Sequence, residues 1–141
     1  MEVKLEAVFS SVLSGLPFLS LHLFVTFIVF LIGLFVYIKI TPYDDIALIK
    51  EGNHAAAVTL AGAIIGLALP LALAMASSIS VWEILFWGPI SLLIQLIAFR
   101  VTDLILSDMS DRIRQGELGA ALILAAFKLA FAIFNAAAIA G

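Results

Sequence analysis

Lys128 stands alone as a charge in "LGAALILAAFKLAFAIFNAAAIA", the run from Leu118 to Ala140. An ammonium in such surroundings loses its water at a cost of several kcal/mol unless an anion or an oxygen acceptor replaces it. Two residues of the preceding apolar run could replace that water, Asp103 as a counter-ion and Gln95 as a neutral acceptor. Arg100 competes, because it precedes Asp103 by three residues and pairs with it on one helix face. In that arrangement Lys128 snorkels into a gap instead, and sequence leaves both arrangements open. A second polar set is His22, Asn135 and Glu83. It reads as a vestibule or as ordinary hydrogen bonding between helices. With no Cys, and with His22 and His54 expected at opposite membrane faces, no metal or haem site is expected. No Gly-rich phosphate loop, HExxH pattern or nucleophile beside a base occurs, so neither catalytic residues nor cofactors are expected. Nothing in the sequence supports an enzyme.

The elements that hold these residues follow from composition. The chain is 65% hydrophobic and 12% charged, with a mean hydropathy of +1.25. A soluble domain has roughly 25% charged residues, so this is a membrane protein. Seven basic residues scattered through apolar segments make no nucleic-acid surface. Acidic residues at the start, in "MEVKLEAVFSSVLSGL", and no small-residue cleavage pattern leave no signal peptide, so this segment reads as retained. A span needs about 20 apolar residues. Four stretches qualify: Pro17 to Lys39, Ala55 to Ser77, Val81 to Leu106 and Leu118 to Ala140.

"IKEGNHAAAVTL" from Ile49 and "IRQGELGAALIL" from Ile113 say nearly the same thing 64 residues apart. Moved by that offset, the hairpin 17–77 falls on 81–141. The expected fold is therefore all-α, with two tandem helical hairpins as parallel repeats. Each repeated connection carries helix punctuation. Thr41 is the expected N-cap of a short interfacial helix with Pro42 at its first position and Asp44 and Asp45 in its first turn. Tyr43, Ile46, Ala47 and Ile49 give that helix its apolar side. Gly52 stops it and Asn53 caps the next span. In the second copy Ser107 or Asp108 caps and Gly116 stops. Most of these residues are read as structural.

Lys39, Lys50, Arg112 and Arg114 flank the two connections, which places them in the cytoplasm and both termini outside. Trp82 and Trp87 then mark the outer interface, Tyr37 and Tyr43 the inner one. Residues 1–16, with Leu5, Val8, Phe9, Val12, Leu13 and Leu16 at helical spacing, form an expected outer interfacial helix. Lys128 comes out about ten residues, or ~15 Å, beyond the inner boundary, near the midplane. His22 and Asn135 share a depth of roughly 25 Å. Spans two and four are rich in small residues, including the Gly62 to Gly66 GxxxG spacing, and should make the tightest contact, within one chain or across an oligomer. Pro70 and Pro89 can kink spans two and three, with Gly88 beside the second.

"ITPYDDIALIKEGNHAAAVTLAGAIIGLALPLALA", with "WG" at Trp87, "LLIQL" around Gln95 and "FNAAA" from Phe134, resembles the YjfL-like bacterial inner-membrane family, domain of unknown function 350. The resemblance covers nearly everything after Ile40 and is specific from Thr41 to Pro70. It implies a multi-pass protein of the bacterial inner membrane with no established activity. It also implies links, through gene surroundings alone, to membrane stress and to polyamine or glutathionylspermidine metabolism. Thr41, Pro42, Gly52, Asn53, Gly62, Gly66, Pro70, Gly88, Gln95 and Asn135 carry over as motif positions; Glu117 departs from the pattern and Lys128 lies outside it. The functional expectation is a non-catalytic homo-oligomer in the lipid bilayer that presents its cytoplasmic helices to a soluble protein partner. The alternative is a channel or transporter-like permeation unit for an ion or small solute, formed by several chains.

Overall fold

The computed structural model describes residues 2–141. It is all-helical: α1 (Glu2–Ile40), α2 (Asp45–Lys50), α3 (His54–Ser77), α4 (Val81–Ile105), α5 (Ser107–Arg114) and α6 (Leu118–Ala140). Helices α1, α3, α4 and α6 are long and apolar enough to cross a membrane. Within a bilayer a helix is one of the few structures that satisfies every backbone N–H and C=O internally, which is what sequences this apolar require.

The connections close with matching local chemistry. Gly52 and Gly116 take φ of +88° and +82°, the left-handed conformation that a Cβ disfavours. The N–H of Gly52 donates to the Ile49 carbonyl and that of Asn53 to Leu48; 64 residues on, Gly116 donates to Ile113 and Glu117 to Arg112. This paired closure is a Schellman stop. Asn53 then caps α3, its Oδ1 accepting from the Ala56 N–H at 3.0 Å. Its Nδ2 donates across to the Ile113 carbonyl at 2.8 Å, and Arg114 donates to the Pro42 carbonyl. The two connections therefore lie together at one end of the bundle.

Several expected caps move. Helix α1 runs on to Ile40, so Thr41 bonds backward to the Tyr37 carbonyl, through its N–H at 3.0 Å and its Oγ1 at 2.8 Å. Pro42 lies in the turn, and Asp44 caps α2 by accepting from the Ala47 N–H at 3.0 Å. At α5 neither Ser107 nor Asp108 caps. Helix α4 ends at Ile105 and α5 starts at Ser107, which leaves only Leu106 between them and no side-chain cap. Ile46 and Ala47 of α2 are exposed, whereas Tyr43 and Asp45 are buried. Tyr37 and Tyr43 are not interfacial belt residues: both turn into the protein, where their hydroxyls find partners. Met1 lies outside the described residues, and no break separates residues 2–16 from the first span, because α1 continues through Pro17 as one helix. Its residues from Val3 to Leu21 are all exposed, and the bundle begins at His22.

Helix α3 is the central element, packed against α1, α4 and most closely α6. Small residues permit that approach. A Cβ at Gly62 would meet the Ala125 Cβ at 2.8 Å and its Cα at 3.1 Å. Gly88 lets Leu71 and Val29 approach α4. Pro70 is buried inside α3 and Pro89 exposed inside α4, each within an unbroken helix. Phe24, Phe27, Phe86 and Phe134 point outward, as a lipid-facing surface permits.

Gly62→Ala drives the added Cβ into the Cβ and Cα of Ala125 and should cost ~1–3 kcal/mol in unfolding from detergent. Gly119→Ala, with nothing within 4 Å of the added Cβ, should change stability little. Equal stability of the two variants would contradict the close α3–α6 packing.

Candidate functional site

Lys128 has no exposed surface. In a helix the Cα–Cβ bond leans toward the N-terminus, so this side chain on α6 reaches toward the end that carries α2 and α5. There it meets two other spans. Nζ donates to the Tyr37 Oη of α1 at 2.9 Å and faces the Asp103 Oδ1 of α4 at 3.4 Å. It also lies 4.8 Å from the Tyr37 ring centroid and 5.4 Å from that of Phe99. The two rings meet edge to face, 5.7 Å apart and at 81°. A hydroxyl, a carboxylate and two aromatic rings thus replace the water that the ammonium gave up. Gly66 makes this closure possible, since a Cβ there would stand 2.8 Å from the Phe99 Cζ. Arg100 forms no ion pair with Asp103 among the described residues.

A chain of amides extends from Lys128 toward the other end of the bundle. Gln95 Nε2 donates to the Lys128 carbonyl at 3.2 Å, and its Oε1 accepts from Asn135 Nδ2 at 3.2 Å. Asn135 Nδ2 also donates to the Ser91 carbonyl at 3.0 Å. Ser91 and Asn135 line a cavity of about 400 Å³ together with Glu83 and Trp87. Glu83 accepts from the Ile79 N–H at 2.7 Å, which ties it to the start of α4. His22 is buried but stays apart from Asn135, bonding through Nδ1 to the Phe18 carbonyl of its own helix at 2.9 Å. Among the described residues no group of three or more His, Cys, Asp or Glu gathers as a metal site.

Sequence reasoning misses Asp45. Beside Asp44 it reads as a solvated first-turn acid, yet it is 1% exposed and neither carboxylate oxygen has a hydrogen-bond partner. Burial pushes its carboxyl up to about 6; Lys128 opposes the rise, and Asp103 and Asp44 add to it. No local signal separates Asp45 from its neighbour: only closure of α2 against the bundle decides which acid is buried. Beside it, Tyr43 Oη donates to Thr59 Oγ1 at 3.3 Å. Burial holds the Tyr43 phenol well above its usual range against that hydrogen bond, with the Asp45 charge adding to the rise, so it stays neutral. Two buried carboxyl groups therefore feel one ammonium, which is paired with Asp103. Fully ionised, Asp45, Asp103 and Lys128 carry a net negative charge inside the protein, an arrangement that invites one more positive charge.

The folded chain holds the Asp45 proton more tightly than the unfolded chain. Its contribution to stability is therefore full below the unfolded value near 3.8 and is lost as pH rises through about 6. Unfolding in detergent should show a loss on the order of 3 kcal/mol across that window. Asp45→Asn should remove that part of the pH dependence, and an unchanged profile would contradict the burial of this carboxyl.

The chain matches the family model described as Domain of Unknown Function (DUF350) over residues 11–139. It is 34% identical over 126 residues to the UPF0719 inner membrane protein YjfL of Escherichia coli strain K12, covering 89% of this chain and 96% of that protein. The YjfL protein of Escherichia coli O157:H7 matches to the same extent. No solved structure matches. A four-span helical chain that aligns with these inner membrane proteins over nearly their whole length belongs to the DUF350 family.

Proposed function

We propose that the chain is a permeation unit of the bacterial inner membrane, in which an oligomer moves a small cation past the Lys128 centre. The carrying observation is a fully buried ammonium shared by Tyr37 and Asp103, with Asp45 beside them. Ionisable groups in membrane spans are costly, face the bundle interior or a water-filled cavity, and mark substrate or ion pathways and proton relays. The polar route supports the reading: the cavity at Ser91 and Asn135 connects through Gln95 to Lys128, then to the carboxyl groups near α2. Next to Asp45 in the chain, Pro42, Tyr43 and Asp44 line two clefts of about 310 and 390 Å³. Basic residues around the connections support a cytoplasmic α2/α5 end with both termini outside. Four spans make a narrow bundle, so several copies in a ring would form the complete path. The 64-residue repeat then supplies two parallel hairpins around one centre.

A second reading is that the cytoplasmic helices recruit a soluble protein. It rests on the exposed charges Asp44, Lys50, Glu51, Asp108 and Asp111 at one end of the bundle. Purified protein in liposomes separates the two. Dissipation of an ion gradient, altered at least several-fold by Gln95→Leu or Lys128→Met, is the expected result. Sealed liposomes carrying folded protein would contradict permeation and favour the recruiting role.

A further inference from the structure

We infer that the species taken up at the buried centre is the proton, and that Asp45 is the group that exchanges it with the α2/α5 side of the membrane. The inference deepens the permeation reading and rests on it only for the transfer across the bilayer.

Stoichiometry points to the proton. Lys128 already occupies the position facing Asp103 and uses the Tyr37 hydroxyl. A metal cation needs about six oxygen ligands, and the described residues gather no group of three acidic or imidazole side chains. Asp45 offers two oxygens with no hydrogen-bond partner, which is enough for a proton and too little for a metal shell. Asp103 faces the Lys128 ammonium at 3.4 Å, whereas Asp45 has neither an ion pair nor a hydrogen bond among the described residues, so of the two carboxyls Asp45 is the one left to exchange.

Position points to the side of exchange. Asp45 opens α2, one residue from the exposed Asp44 and from the two clefts that flank this connection. Lys128 from α6, Asp103 from α4 and Asp44 act on it by charge, and the Thr59 hydroxyl of α3 lies near it. Tyr37 from α1 and the adjacent Tyr43 in turn feel its charge. On release the Asp45 O–H bond breaks and the proton forms a new O–H bond with water in a cleft or with the Asp44 carboxylate. Asp45 is left ionised near Lys128, and loading is the reverse step. The rise of its carboxyl to about 6 fits an acid that exchanges near cytoplasmic pH.

Difference infrared spectroscopy of the full chain in nanodiscs, titrated around pH 6, reads the proton directly. The expected result is a protonated-carboxyl C=O band that disappears as pH rises, is absent in Asp45→Asn and is retained in Asp45→Glu. Its midpoint should rise in Lys128→Met, because the ammonium favours the ionised carboxylate. A missing band in the wild type, or one that persists in Asp45→Asn, would overturn the assignment. So would a midpoint that falls by about one pH unit per tenfold rise in Na⁺ or K⁺, the signature of a competing metal ion. A titrating Asp45 band in a protein that leaves liposomes sealed upholds the proton site and ends the permeation reading. Ion flux without the band ends the proton site and leaves permeation standing.

Discussion

One buried ammonium organises this molecule. Lys128 lies inside an apolar helix, where an unpaired charge is costly, and every way of satisfying it requires another helix to come close. Asp103 brings α4, Tyr37 brings α1, and the carbonyl of Lys128 itself accepts from Gln95. Helix α3 contributes an absence: Gly66 leaves the space that the Phe99 ring fills over the charge. Small residues along α3 and α6 thus do more than permit close packing, since they allow a charged centre to be sealed from lipid.

The two matching connections separate architecture from the site. The Schellman stops, built on Gly52 and Gly116, occur in both halves with the same hydrogen bonds. The site does not repeat. Sixty-four residues from Lys128 stands Ile64; from Asp45, Met109; from Tyr37, Val101; from Gln95, Leu31; from Asn135, Leu71; and from Asp103, Lys39, a charge of the opposite sign. The polar centre is therefore assembled from both halves of the chain rather than repeated in each. The departure at Glu117 has a local consequence: the carboxylate cannot donate as Asn53 does, so it pairs with Arg112 instead of bridging to the other connection.

Much of this is legible in the chain. Apolar runs of membrane-spanning length locate four spans, and the small residues of α3 and α6 locate the closest contact. The inward lean of Lys128 and the antiparallel direction of α4 are enough to suggest Asp103. Boundaries are harder to read: Thr41 and Ser107 look like caps, but α1 and α4 extend to meet them, and capping propensity yields to the length of the preceding helix. Tyr37 and Asp45 escape a sequence reading for one reason. Both sit at the edge of an apolar segment, where an interfacial and a buried position have the same sequence appearance, and only tertiary closure around Lys128 draws them inward.

Lys128 and Asp103 act as one charged unit within the membrane-spanning bundle. The most direct measurement is a double-mutant cycle of Lys128→Met and Asp103→Asn, read as unfolding free energy in detergent. Each single change should cost ~3–5 kcal/mol by leaving its partner buried and unpaired. The double variant should lose less than the sum, with a coupling of ~1–3 kcal/mol. Strictly additive losses would mean that the two charges do not sense each other, and that the bundle is organised by something else.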